Sequence, residues 1–204
     1  MQYSIQFVNN STNSGDFCVF QTPPDMSNSN ILSLAWLTKR CHPKNYRLKF
    51  TWSIDYNFTW SEVGELIPGV VFDAQQLWPA DLVTANHVDF TRYDGAYTFL
   101  DQRKGAQAGN LYIHQDDTIP LREASVGIAM GGKASFAVEA QPNLTEVFIP
   151  HPTYWVAFGD YVEGQVLDVE TITNKAVVEF PPNVYNMTAT LGADNAWTIT
   201  PAKC

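Results

Sequence analysis

The chain reads as an all-β protein, an antiparallel β-sandwich of jelly-roll-like type with little helix, and three observations predict this. Trp52, Ile54, Tyr56, Phe58 and Trp60 alternate strictly with Ser53, Asp55, Asn57 and Thr59, the period of two that turns one side of a strand towards a core. Short apolar or alternating segments recur between turn signals from one end of the chain to the other, the habit of many-stranded antiparallel folds. No amphipathic helix longer than about two turns is visible.

Taken in order, residues 3–8 alternate, with Tyr3, Ile5 and Phe7 opposing Ser4 and Gln6. Asn9-Asn10-Ser11 through Ser14-Gly15 can supply a left-handed turn, and segments 17–21 and 32–37 follow on either side of Pro23-Pro24. Residues 46–60 form the longest pattern, with Arg47 and Lys49 between Tyr46, Leu48 and Phe50 as the wet side of a strand. Segments 69–74, 96–100 and 111–114 come next, and Asp94-Gly95 marks a hairpin. Residues 80–86 and 121–124 suit at most a short helical turn, since neither has a strong cap. Segments 125–130 and 134–140 flank Gly131-Gly132 as a second hairpin. The series closes with 146–149, 154–158, 165–170, 176–180, 187–191 and 197–200. Pro150 with Pro152, and Pro181-Pro182, remove ladder donors and so mark edges or crossings.

At 204 residues with no composition break, the chain suits one domain, 1–204, because all-β folds commonly run to about 200–250 residues as one unit. Hydrophobic content of 45% against 16% charged residues excludes a disordered chain. A net charge of −9 argues against nucleic acid as a partner, since a duplex binder needs clustered cations to displace counterions. The local exception is Lys39, Arg40, Lys44, Arg47 and Lys49, five of the twelve basic residues. No run of eighteen apolar residues exists, so no membrane-spanning helix is expected. The opening Met-Gln-Tyr-Ser-Ile-Gln-Phe-Val lacks a basic region followed by a long apolar run. Localisation is left open between a cytoplasmic protein and, if a leader was removed, a secreted one. Cys18, Cys41 and Cys204 show no CxxC spacing, which gives neither a dense disulfide framework nor a thiolate zinc site and leaves room for one Cys18–Cys41 bridge. Five sequons, at Asn9, Asn10, Asn57, Asn143 and Asn186, matter only if the chain is secreted.

Motifs for known chemistries are sparse. His42, His87, His114 and His151 are scattered outside any metal-ligand spacing, and His114-Gln115-Asp116-Asp117 reads better as a hydrogen-bonded turn than as a metal site. There is no GxSxG elbow, GxGxxG or P-loop, so neither metal nor cofactor is expected. The aromatic inventory carries more weight, with six Trp, nine Tyr and twelve Phe. Rings combine large contact area with a polar handle and suit flat apolar ligands, sugars and polarised transition states. The candidate ligand-binding rings are Trp52, Tyr56, Phe58 and Trp60 of the alternating run, with Trp36 and Trp155. In Pro150-His151-Pro152-Thr153-Tyr154-Trp155, two prolines stiffen a loop that offers a proton-transfer group, a phenol and a stacking platform. His151 and Tyr154, with Asp55 from the alternating run, are the candidate catalytic residues.

Three stretches, Tyr3-Ser-Ile-Gln-Phe-Val-Asn-Asn-Ser, Leu34-Ala-Trp with residues 52–60, and His151-Pro-Thr-Tyr-Trp with Val166-Leu-Asp-Val, resemble the RhiA-like proteins, named after a rhizosphere-expressed bacterial protein. The resemblance runs over most of the chain. It implies a compact soluble protein of bacterial or fungal origin, linked to life around a host or to secreted small molecules, and transfers no functional residue. The leading expectation is a binder of a small apolar or aromatic specialised metabolite in an aromatic-lined cavity. One alternative is a cofactor-independent cyclase or cycloaddition (Diels-Alderase-type) enzyme, in which the cavity orients reactants and His151, Tyr154 or Asp55 donates a hydrogen bond or proton. Another is a lectin-like carbohydrate-binding protein with rings exposed on a groove beside Asn and Asp. A purely structural role fits the composition equally well.

Overall fold

The computed structural model describes residues 2–24 and 30–202, which form seventeen strands. In chain order these are β1 (Gln2–Asn9), β2 (Gly15–Thr22), β3 (Leu32–Ser33), β4 (Ala35–Cys41), β5 (Tyr46–Ser53) and β6 (Tyr56–Ser61). There follow β7 (Trp78–Ala80), β8 (His87–Tyr93), β9 (Ala96–Arg103), β10 (Leu111–Gln115), β11 (Ser125–Met130) and β12 (Lys133–Glu139). The last are β13 (Leu144–Phe148), β14 (Thr153–Gly159), β15 (Lys175–Val178), β16 (Asn186–Leu191) and β17 (Trp197–Pro201).

The all-β class expected from the sequence is what is found, with no helix among the described residues. In place of two antiparallel sheets there are four, ordered β17-β16-β1-β5, β15-β14-β2-β4, β3-β12-β11-β6-β7 and β13-β10-β8-β9. Two pairings are parallel, β1 with β16 and β10 with β8. The Asp94-Gly95 and Gly131-Gly132 hairpins form as read, with positive φ at all four residues. Segments 69–74 and 165–170 contribute only an isolated bridge, Val71 to Gln165, and a second from Leu34 to Val166. Residues 80–86 and 121–124 contain turns and no helix. Strands β7 and β8 lie outside the segments picked out by pattern.

The alternating run 52–60 is two strands in different sheets. Ser53, which ends β5, and Ile54 and Asp55 between the strands are exposed. The Ser53 hydroxyl donates to the Asp55 carboxylate, and the Asp55 carbonyl accepts from Gly131 N at 3.0 Å. β5 pairs with β1 and β6 with β11. Trp52 therefore serves one sheet while Tyr56, Phe58 and Trp60 serve another, and Ile54, on the apolar series in the sequence, is 46% exposed at the break.

One buried cluster takes residues from all four sheets, among them Phe7, Trp36, Phe58 and Phe90. Phe7 stacks on Phe17 at 4.1 Å, and Trp36 meets Trp52 edge-on at 5.2 Å. The Trp36 indole N–H donates to the Met130 carbonyl at 2.9 Å, so this fully buried ring brings no unsatisfied donor into the core. Cys18 and Cys41 are both buried free thiols. Cys41 opposes Gly15 in the β2–β4 ladder while Cys18 opposes Thr38, so the two side chains project from opposite faces of the sheet and cannot be bridged. Cys204 lies outside the described residues.

Candidate functional site

Where β1, β6, β14 and the end of β15 meet, a cleft of about 550 Å³ opens to the surface. Its rings are Tyr3, Tyr56, Tyr154 and Phe180, and its rim includes Ile54 and the His151 loop. The loop is held by several contacts. His151 N donates to the Ile149 carbonyl at 2.9 Å, and the Tyr56 hydroxyl donates to the Pro150 carbonyl at 3.2 Å. Prolines on both sides of His151 narrow the remaining backbone freedom. Pro150 is buried and the His151 side chain stands exposed at the mouth.

The rings are arranged edge to face. Phe180 meets Tyr3 at 5.1 Å and Tyr154 at 5.7 Å, both near perpendicular, a geometry aromatic quadrupoles favour. Burial pushes the Tyr154 phenol up to about 12, with a smaller opposing effect from the nearby Trp52 indole N–H. Burial, reinforced by Tyr154, raises Tyr56 as well. Both phenols are consequently neutral O–H groups at physiological pH, suited to donating hydrogen bonds and unsuited to acting as bases. They differ in how firmly they are held. Tyr56 donates to a carbonyl, whereas the Tyr154 O–H has as acceptor only the buried Met130 thioether at 3.9 Å, a weak one.

Of the residues singled out in the sequence, Tyr56, His151 and Tyr154 line this cleft. Trp52 lies one layer behind, 5.6 Å from Tyr154 and 6.1 Å from Tyr3, with its buried indole N–H lacking a hydrogen-bond partner of normal geometry. Trp36 packs below Trp52 in the core. Phe58 and Trp60 are buried further along β6, the latter donating to Gln76 Oε1 at 2.9 Å. Trp155 is on the other face of β14, stacked on Phe20 and donating to Thr22 Oγ1 at 3.1 Å. Asp55 is exposed in the β5–β6 break and does not line the cleft. His114 and Asp116 have separate partners, His114 bonding Thr145 Oγ1 across the β10–β13 pair and Asp116 accepting from Thr118 N.

Sequence reading missed Tyr3, Phe180 and Leu82 as cleft residues. Tyr3 was legible as core-facing and Phe180 as a strand end before Pro181-Pro182. Nothing local indicated that these two rings, far apart in the chain, meet over Tyr154.

The model of the RhiA family matches residues 1–202 of this chain. Protein RhiA of Rhizobium leguminosarum bv. viciae is 38% identical over 206 residues, an alignment covering 98% of this chain and 87% of that protein. No solved structure matches the chain.

Proposed function

The chain belongs to the RhiA family, and from that premise and the geometry of the cleft we propose that it binds a small, largely apolar or aromatic metabolite. The ligand would lie against Tyr3, Tyr154 and Phe180 and accept a hydrogen bond from the Tyr154 hydroxyl. The observation that carries the reading is the pairing of an aromatic cleft with one neutral donor held only by a thioether. A flat molecule bearing a carbonyl or phenolic oxygen meets both requirements.

Trp52 and Trp36 lie behind Tyr154, so their fluorescence is a built-in reporter. Titration with a panel of aromatic lactones and quinones should quench it and raise the melting temperature. Tyr154→Phe should weaken binding about five- to tenfold, the worth of one neutral hydrogen bond of about 1–1.5 kcal/mol. Ile54→Trp, at the exposed rim, should obstruct entry without disturbing the core. If no compound of the panel binds, or if neither variant changes binding, the cleft is only a surface irregularity.

A second reading is a cofactor-independent cyclase or cycloaddition catalyst, favoured by the exposed His151 facing the same cleft as the Tyr154 donor. Orientation of two reacting groups by shape, with a phenol stabilising developing negative charge on oxygen, supplies a rate advantage without a cofactor. Product formed without added metal or nucleotide, and reduced by Tyr154→Phe, would distinguish catalysis from binding. The lectin-like reading through stacking rings has less support, because each of the six tryptophans is buried or half-buried.

A further inference from the structure

The sheet β17-β16-β1-β5 contains no carboxylate in any of its four strands, although the chain holds 21 acidic residues against 12 basic ones. One face of it, through Ile5, Phe7, Leu48 and Met187, belongs to the core. The register defines the other face. Gln6 lies between Lys49 and Thr188, with Thr200 beyond, and Val8 lies between Arg47 and Thr190, with Thr198 beyond. Arg47, Lys49, Thr198 and Thr200 are exposed, and the inner members of each row are half-buried. Among the described residues no acidic group lies within ion-pair distance of Arg47 or Lys49, while neighbouring Arg40 is taken by Asp16 and Asp160. Lys44, in the turn entering β5, is exposed and likewise lacks an ion-pair partner. A protein of net charge −9 thus builds this face from strands without carboxylates and edges it with cations, the Asp55 carboxylate meeting it only at Ser53, the far end of β5.

We propose that this face binds an acidic polysaccharide, with carboxylates on Arg47 and Lys49 and sugar hydroxyls on Gln6 and the cross-strand pairs Thr188–Thr200 and Thr190–Thr198. The backbone positions that carry the two cations are about 6.6 Å apart along β5, a sparse arrangement that suits a chain with its carboxylates spread over successive sugars. Three features of the face select this partner by charge complementarity. It has no aromatic ring for stacking bases, which single-stranded nucleic acid requires. Its cations are too few for a duplex, whose dense phosphates the acidic remainder of the protein repels. Val8 is its one apolar side chain between the strand edges, too little to insert into a membrane interface. Hydroxyls and an amide beside charge-assisted donors match what remains, a polyhydroxylated chain bearing carboxylates. This surface is separate from the cleft, and neither reading depends on the other.

The test is calorimetric titration of the intact protein with alginate oligomers, neutral dextran, a single-stranded oligonucleotide and anionic phospholipid vesicles. The expected result is binding to alginate alone, weakened as ionic strength rises from about 0.02 to about 0.2 M. Arg47→Gln with Lys49→Gln should weaken it about tenfold or more and leave the thermal melt unchanged, because both side chains are exposed. Absence of alginate binding by the unmodified protein overturns the proposal. So does equal binding to dextran, tighter binding to the oligonucleotide or vesicles, or alginate binding that the double substitution does not alter.

Discussion

Asn9 joins three parts of the chain through one buried amide. Its Nδ2 donates to the Asn13 and His42 carbonyls at 2.9 and 3.0 Å, and its Oδ1 accepts from Ser11 N and Oγ at 3.0 and 2.7 Å. The end of β1, the loop to β2 and the turn before β5 are thereby tied together. Asn9→Ala should cost about 2–4 kcal/mol, since several polar groups lose partners in a buried setting, and a urea midpoint lowered at unchanged slope would show it. Asn9→Asp should cost at least as much, because an acceptor would then face two carbonyl oxygens. The sequence identifies Asn9-Asn10-Ser11 both as turn chemistry and as a sequon, and burial decides between them. A fully buried Asn9 is a structural bond-former, not a surface acceptor for a glycan.

Among the elements, β11 is constrained most closely at Gly127. A Cβ there would stand 2.2 Å from the Phe136 carbonyl oxygen of the neighbouring strand, so backbone would have to move. Gly127→Ala should destabilise by about 2–3 kcal/mol or more, and hydrogen exchange should localise the loss to the β11–β12 hairpin and its partner β6. The hairpin itself was legible from Gly131-Gly132 between two apolar runs, because turn chemistry is local. The division of residues 52–60 was not. Period-two alternation continues unbroken through Ile54 in the sequence, and it is pairing with β1 on one side and β11 on the other that ends β5 and starts β6. Strand β8 has only two wholly buried residues, Val88 and Phe90, alternating with His87 and Asp89, a pattern too short to stand out.

At the scale of the whole molecule, Glu146 is an acidic group on the wrong face. It opposes Ile113 in the β10–β13 ladder, on the side that carries Phe148 and Leu111 into the core, and burial raises its pKa above the ordinary value of 4.5. The folded form thus holds the proton more tightly than the unfolded chain does. Stability from this residue is fully present below the ordinary pKa and is lost as pH rises through the raised one. Glu146→Gln should therefore raise the melting temperature by a few degrees at pH 8 and leave it unchanged at pH 4, and a melt series over that range would show the two curves converging in acid. The global charge and the strand faces were readable from composition and periodicity, because each residue's preference for core or water is a local property. From these the sequence by itself determined an all-β chain with an aromatic interior, glycine hairpins and a cluster of cations on β4 and β5. Only the tertiary structure decided that there are four sheets, that β1 lies parallel to β16, and that Tyr3, Tyr56, Tyr154 and Phe180 share a cleft. Such pairings join residues far apart in the chain, and they are selected by burial summed over the whole molecule rather than by any pattern within one segment.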